Sequence, residues 1–293
     1  MKTIAIAMVL CAVASTVGAA PPPLDTAKIE QLTGAKGSLD EKEGVFKVSM
    51  PRSDLSVVVN GEKLTPPMGL TSWAAFKRVG EHTVVMGDTV MLEDQVNPVM
   101  SAALEAGLEV TALHNHFLWD SPRVMFMHIE GMGEEAALAG AVGRVFAEIK
   151  QTSGGKGDFP RADIDPAKTT LDPKKIDAVL GGSGELKNGV YKVTIGRQTK
   201  MHGETMGSTM GVNTWAAFAG SDDQAAVDGD FAMLEPDLQG VLKALRGGGV
   251  TVAAIHQHMT GEQPRVLFLH FWGIGRTVDL ARVLRAALDT QRP

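Results

Sequence analysis

Hydrophobic and polar positions along this chain change their period in a regular order. The stretches VFKVSM (45–50) and VVMGDTVML (84–92) alternate with the two-residue period of strands. NPVMSAALEAG (97–107) and EEAALAGAVGRVFAEIK (134–150) have the spacing of amphipathic helices. Between these two helices, residues 108–131 predict a pair of strands joined by the six-residue loop FLWDSP. The pattern therefore predicts a unit of antiparallel strands and helices.

The same order returns later in the chain. MGLTSWAAF (68–76) matches MGVNTWAAF (210–218), and ALHNHFLWDSPRVMFMHIEGMG (112–133) matches AIHQHMTGEQPRVLFLHFWGIG (254–275), at one offset of 142 residues. Self-similarity at a constant offset indicates an internal duplication. We expect a first unit at 24–150, a linker rich in glycine, proline and charge at 151–171, and a second unit at 172–293.

The fold class follows from these elements. Asp25 or Thr26 in the first unit, and Asp172 in the second, are expected to cap a short opening helix, which ends at Gly34 or Gly181. Strands with short loops and a few helices predict an α+β fold. We expect two tandem homologous units, each a mainly antiparallel sheet covered by helices, related by a pseudo-twofold axis. The pattern leaves open whether the two sheets merge.

The first residues predict where the protein resides. Residues 1–19 combine one lysine, an apolar run at 4–13 and small residues before the expected cleavage point, which is typical of a signal peptide. Later segments lack the roughly 20 apolar residues of a membrane helix, so no membrane insertion is expected after the signal is removed. The protein is predicted to be exported, to a periplasm or outside the cell.

Charge and cysteine content exclude some functions. The formal net charge of the chain is −6, with acidic and basic residues mixed along it, so we expect no nucleic-acid partner. The one cysteine, Cys11, lies inside the predicted signal, so no disulfide or cysteine nucleophile is expected. The oligomeric state is not predicted.

Histidines are the candidate functional residues, because the duplicated stretch carries three in each copy. On a strand, residues i and i+2 share a face. If residue 116 pairs with about residue 124, the return strand brings its histidine to that same face. Three neutral imidazoles around an open position are typical of zinc sites, and imidazole also binds copper. The expected metal ligands are His114, His116, His128, His256, His258 and His270.

Repeated charged residues extend these two clusters. Four acids are candidates for an additional oxygen ligand or for orienting a ring, and two arginines are candidates for contacting an anionic ligand. A salt bridge between each arginine and a repeated acid is the competing prediction for the arginines. These residues are Asp88, Glu93, Asp230 and Glu235, and Arg123 and Arg265.

Two other residue types bear on the prediction. Met125, Met127 and Met259 flank the histidine strands, which favours copper(I) over other metals, although core filling explains Met125 and Met127 equally well. Trp73 and Trp215, in the repeated WAAF segment, are expected in the core.

Several functions fit these residues. Metal binding, with zinc or copper, is the leading hypothesis, and a metal-free site for a small molecule and a purely structural role are the alternatives. GxSxG, GxxxxGK[ST], GxGxxG, HExxH and CxxC motifs do not occur in the sequence. If the protein is an enzyme, a hydrolase or lyase, its chemistry must come from the histidine clusters.

The duplicated segments also carry a family resemblance. HNHFLWDSPRVMFMHIEGMG and HQHMTGEQPRVLFLHFWGIG, with the preceding WAAF and MLE segments and the predicted export signal, resemble the LppY/LpqO family of bacterial exported proteins. That resemblance covers both units and implies a two-copy exported protein with a domain of unknown function. It implies no catalytic residue.

Overall fold

The computed structural model describes residues 22–152 and 161–292. The predicted signal peptide at 1–19 lies outside the described residues, and so does part of the predicted linker at 151–171. Within the described ranges, no helix is both long and apolar enough to cross a membrane.

The first copy contains three helices and nine strands. The helices are α1 (Thr26–Thr33), α2 (Val96–Glu105) and α3 (Glu135–Gln151). The strands are β1 (Lys36–Asp40), β2 (Val45–Pro51), β3 (Val58–Val59), β4 (Glu62–Lys63), β5 (Thr71–Val79), β6 (His82–Leu92), β7 (Glu109–His114), β8 (Asp120–Ser121) and β9 (Val124–Gly133).

The second copy repeats this order, except that an isolated bridge at Gln263 stands in place of β8. Its helices are α4 (Pro173–Leu180), α5 (Leu238–Gly247) and α6 (Thr277–Asp289). Its strands are β10 (Glu185–Lys187), β11 (Val190–Gly196), β12 (Thr199–Met201), β13 (Glu204–Met206), β14 (Asn213–Gly220), β15 (Ala225–Leu234), β16 (Thr251–His256) and β17 (Val266–Gly275).

The capping residues predicted from the sequence define both opening helices. Asp25 accepts a hydrogen bond from the Lys28 amide, and Asp172 accepts one from the Lys174 amide. Gly34 and Gly181 end these helices with φ of 64° and 76°, a left-handed conformation that glycine adopts without strain. Both starts and both ends are therefore confirmed.

The two copies share one sheet. Its order is β1-β2-β5-β6-β9-β7-β16-β17-β15-β14-β11-β10, and neighbouring strands run antiparallel. The order reads as a palindrome about the β7/β16 junction, where Leu113 pairs with Ile255. The predicted α+β class and tandem antiparallel units are confirmed, and the arrangement is pseudo-twofold. The question left open by the sequence is decided: the two sheets merge into twelve strands.

One extended core lies between the helices and one face of the sheet. Buried residues from all six helices, including Ile29, Val142, Ile176 and Leu284, belong to a single apolar cluster with alternate residues of the strands. Among the described residues, the other face of the sheet has two small apolar clusters, around Phe126 and around Phe268. This second face carries most of the polar side chains discussed below, and we call it the open face.

Side-chain amides join the copies across the junction. Asn97 in α2 exchanges hydrogen bonds with the backbone of Val252, at 2.9 Å and 3.2 Å. Its repeat Gln239 in α5 does the same with the backbone of Val110, at 3.0 Å and 2.9 Å. Each amide thus satisfies a strand residue beside a β-bulge of the opposite copy.

The tryptophans of the WAAF segments are not in the core, contrary to expectation. Trp73 pairs with Asp88 and Trp215 with Asp230, and all four side chains lie on the open face. Lys47 places its ammonium group 4.0 Å from the ring centre of Trp73, and Lys192 lies 4.1 Å from that of Trp215. The two-residue period was predicted correctly, but the tryptophans were assigned to the wrong face. An alanine and the phenylalanine of each segment fill the core instead.

Candidate metal centres

Four side chains of the second copy converge on the open face. His256 ends β16, His258 follows in the loop, His270 lies on β17, and Asp230 on β15 pairs directly with His270. Their neighbours Ile255, Leu269 and Phe231 are buried in the main core. Because side chains alternate between faces along a strand, the histidines and the aspartate point away from the helices.

The atoms of this group are close together. The Nε2 atoms of His256 and His258 are 3.2 Å apart, and Nε2 of His258 is 3.1 Å from Oδ2 of Asp230. The His270 ring lies 4.6 Å from the His256 ring centre, with its Nδ1 3.9 Å from Oδ1 of Asp230. One ligand atom each from Asp230, His256 and His258 fall within 4.8 Å of one another. We call these three residues with His270 the second-copy cluster.

Burial leaves polar atoms of this cluster without partners. Asp230 is 3% exposed, and its Oδ1 has no hydrogen-bond partner among the described residues; the same is true of Nδ1 of His256. Burial raises the pKa of Asp230, although the neighbouring histidines oppose this shift. Burial also lowers the pKa of His256, which favours the neutral imidazole that a metal ion needs.

The first copy repeats the cluster with different distances. The strand pairing is the one predicted from the sequence: His114 pairs with Phe126, and His128 lies diagonal to it on the same face. Nε2 of His114 is 3.1 Å from Nε2 of His128. Asp88 pairs with His128, and its buried Oδ1 also lacks a described hydrogen-bond partner. We call His114, His116, His128 and Asp88 the first-copy cluster.

The two clusters are not equivalent. Burial raises the pKa of Asp88, as it does for Asp230, and burial lowers the pKa of His116. Within the described residues, however, only the second copy brings three potential ligand atoms within 4.8 Å of one another. The potential ligand atoms of the second copy therefore lie closer together than those of the first copy.

Phenylalanine positions the loop histidine in both copies. The His116 ring stacks on Phe126 at 3.3 Å between centres and 4° between planes, and His258 stacks on Phe268 at 3.5 Å and 10°. Sequence reasoning missed this role. The signal was the phenylalanine that both copies keep two residues before the third histidine.

Buried carboxylates hold the same loops. Asp120 accepts a hydrogen bond from the Val124 amide at 2.8 Å, and its repeat Glu262 accepts one from the Val266 amide at 3.1 Å. These acids are 9% and 5% exposed. They were also missed, although an acidic residue recurs at this position of both loops.

Arginines and the other repeated acids form surface ion pairs beside the clusters. Arg123 lies 3.6 Å from Glu93, and Arg265 lies 3.4 Å from Glu235, with both pairs largely exposed. The competing prediction of a salt bridge is thus confirmed. Of the four repeated acids, Asp230 belongs to the group of three potential ligand atoms, and Asp88 lies beside His128 in the first copy.

The methionines do not support the copper(I) hypothesis. Met127 is fully buried on the helix-covered face, opposite the histidines, and Met125 packs against the same core. Met259 packs in the small apolar cluster with Phe268. The alternative explanation, core filling, fits Met125 and Met127.

A groove of about 560 Å³ adjoins the second-copy cluster. His256 and Arg265 line it from the second copy, while Ala112 and Glu130 line it from the first. The groove lies beside the junction of β7 and β16, and each copy contributes residues to its wall.

Comparison with known proteins shows that each copy matches the same family model. A family model described as a domain of unknown function (DUF1259) matches residues 27–148 and 174–290. No curated protein matches the chain. Among solved structures, a trimeric bacterial microcompartment shell protein, PduB, aligns at 12% identity over 87% of this chain and 89% of that one, with a TM-score of 0.20. A TM-score of this size supports no conclusion about fold or function.

Proposed function

Because the chain belongs to the DUF1259 family, whose description states no function, we propose from its own side chains that it is an exported protein that binds a divalent transition metal. Zinc is the proposed ion. The resemblance to the LppY/LpqO family of exported proteins supports the same location, and we propose that the family match and this resemblance describe one group of proteins.

The main support for this proposal is the geometry of the second-copy cluster. A buried carboxylate and two imidazoles offer ligand atoms within 4.8 Å of one another, and His270 lies beside them. A buried carboxylate oxygen without a hydrogen bond is costly unless a cation compensates it. Histidine nitrogen and carboxylate oxygen are ordinary zinc ligands, and three protein ligands leave a position open.

Zinc fits the donor atoms better than copper(I). The thioether sulfurs that would favour copper(I) pack in apolar clusters. Copper(II) also binds imidazole and carboxylate, so it is the main competitor. The proposed ligands are Asp230, His256 and His258 with His270 in the second copy, and His114, His116 and His128 with Asp88 in the first.

Equilibrium dialysis against zinc, followed by elemental analysis, tests this proposal. At a pH above the ordinary histidine pKa, the mature protein is expected to retain stoichiometric zinc, and the double variant His256→Ala/His258→Ala is expected to lose the tighter site. His82→Ala, which removes an exposed histidine on β6, serves as the matched control. Absence of stoichiometric zinc, or zinc retained equally by the double variant, contradicts the proposal.

Export is tested separately. Mass spectrometry of the protein recovered from a periplasmic fraction is expected to show a chain that begins after Ala19. An intact chain that retains residues 1–19 and stays in the cytoplasm would contradict it.

A second candidate function is a metal-dependent hydrolase. The observation that favours it is the groove beside His256, which gives a ligand access to the cluster and adds Glu130 as a carboxylate from the other copy. A bound zinc with an open position supplies an activated water at neutral pH. Zinc-dependent turnover of a panel of esters, phosphates and glycosides, abolished by His256→Ala, is expected. Turnover that His256→Ala leaves unchanged would refute the histidine-based mechanism.

A further inference from the structure

A second pocket lies on the open face of the second copy, and it has no counterpart of the same composition in the first. Its volume is about 390 Å³, within the range of small-molecule sites. Ala217, Ala219 and Ala226 form its floor on β14 and β15. Since a methyl group is the whole side chain at each of these positions, the floor leaves room above the sheet.

The walls of the pocket carry its chemistry. Trp272 on β17 pairs with Asp228 on β15, so the two side chains lie next to each other on the open face. The indole of Trp272 is 43% exposed, and Asp228 is exposed without an ion pair in the described part of the chain. Lys192, opposite Ala217, does not line the pocket, because its ammonium group lies over the Trp215 ring.

The chain between the copies forms the roof. Ala162 and Ile164 turn half-buried sides toward the sheet, followed by Pro166. The roof is fixed where it leaves the pocket, because the amides of Thr170 and Leu171 both donate to the carbonyl of Gly220, at 2.8 Å and 3.1 Å. Roof, floor and walls thus belong to one ordered unit.

The first copy has different side chains at several of the positions that line this pocket. At the offset of 142 residues, the first copy has Lys77 in place of Ala219, Met86 in place of Asp228 and Glu130 in place of Trp272. A lysine in place of the floor alanine would fill the space, and the wall of indole and carboxylate is replaced. The first copy therefore does not repeat the set of side chains that lines this pocket.

We propose that this pocket binds a small organic cation with an apolar body. A cation above an indole face is attracted by the negative face of the ring, and an adjacent carboxylate adds to that attraction. The alanine floor and the Ile164 roof match an apolar body rather than a polyol or an anion. The site is distinct from the metal ligands, although Trp272 and Asp228 each lie two residues along their strands from His270 and Asp230, about 7 Å away.

Calorimetric titration with benzyltrimethylammonium tests the proposal on the full mature chain. We expect saturable binding of one cation per chain, and binding at least about tenfold weaker for phenylmethanesulfonate, an anion of similar size and shape. The substitutions Trp272→Glu and Asp228→Met, which introduce the first-copy residues, are each expected to weaken cation binding by about tenfold or more.

Two controls separate this site from the metal centre and from misfolding. Met86→Leu, at the equivalent first-copy position of Asp228, is expected to leave the affinity unchanged. Zinc-free protein and His256→Ala are expected to bind the cation as well as the untreated chain does. Circular dichroism and the thermal midpoint establish that each variant folds.

The proposal is overturned by any of three results. The first is the absence of saturable binding up to about 10 mM, a concentration at which a usable small-molecule site would be filled. The second is equal affinity for the cation and the anion. The third is unchanged cation affinity in a folded Trp272→Glu variant. Loss of cation binding only when zinc is removed would also overturn it, by assigning the cation to the metal centre.

Discussion

At the scale of single residues, the contacts of the buried aspartate distinguish the second-copy cluster from the first-copy cluster. Asp230 approaches His258 at 3.1 Å, whereas in the first copy the short contact joins two histidines, His114 and His128. Both aspartates have a pKa raised by burial, so each carboxylate is unfavourable until a cation compensates it. The aspartates are placed to favour ligand binding at the expense of the stability of the metal-free chain.

A substitution of the second-copy aspartate tests this balance between ligand binding and stability. Asp230→Asn is expected to weaken the tighter zinc site by at least about tenfold. The same substitution is expected to raise the stability of the metal-free protein at neutral pH by about 1 kcal/mol, because it removes a buried charge. Asp88→Asn is expected to have a smaller effect on that tighter site. Zinc titration and urea unfolding of both variants measure these effects, and an Asp230→Asn chain with unchanged zinc affinity would contradict the assignment.

The half-buried His256 predicts how the metal-free protein responds to acid. Burial lowers the pKa of His256 in the folded state below 6.5. The contribution of this residue to stability is therefore present above about pH 6.5 and is lost as the pH falls from there through the folded-state pKa. The raised pKa of Asp230 acts in the opposite sense, adding stability as the pH falls through that pKa toward 3.8.

A comparison of variants isolates the histidine effect. The free energy of unfolding in urea is measured with EDTA at several pH values from 8 down to 5. Relative to His256→Gln, whose side chain does not titrate, the unsubstituted chain is expected to lose stability on acidification. An identical pH profile for the two proteins would show that His256 is not buried as described.

At the scale of elements, the helices α2 and α5 link the copies. Asn97 and Gln239 each hold the backbone of the opposite copy through two hydrogen bonds, at strand positions where a bulge interrupts the ladder. Only one backbone pair, Leu113 with Ile255, joins β7 to β16 directly. The side-chain amides therefore supply much of the polar linkage at the junction.

Removing either amide is expected to destabilise the whole protein. Asn97→Ala or Gln239→Ala leaves a buried backbone amide and carbonyl unpaired, which costs about 1–3 kcal/mol. Urea unfolding measures the loss, and Gln257→Ala, at an exposed loop position, is the matched control. A loss no larger than that of the control would mean that water or another group replaces these hydrogen bonds.

At the scale of the whole molecule, the continuous sheet and the single core predict that the copies unfold together. The main apolar cluster includes residues of both copies without interruption, from Ile29 to Leu288. Elements that share one core generally unfold cooperatively. The two copies are thus expected to behave as one cooperative unit, although each copy is about the size at which domains fold alone.

Equilibrium unfolding tests this cooperativity. Tryptophan fluorescence and far-ultraviolet circular dichroism are expected to give one coincident transition in urea, since tryptophans occur in both copies. Two separated transitions, or a shift of only one transition in Asn97→Ala, would show that the copies are independent domains.

The sequence by itself determined the elements, the duplication and the histidine register. Period-two alternation, helix caps at Asp25 and Asp172 and the constant offset are local properties, so they can be read without knowing the fold. Alternation also put His114 and His128 on one face once the loop length set the pairing.

Only the tertiary structure decided which face is covered and which groups meet. Alternation cannot tell a helix-covered face from an open one, so Trp73 and Trp215 were assigned to the wrong side. The merging of the sheets, the pairing of Glu93 and Glu235 with arginines, and the approach of Asp230 to His258 depend on contacts between residues distant in the chain. Such contacts are set by how the strands order and pack, because no local period encodes them.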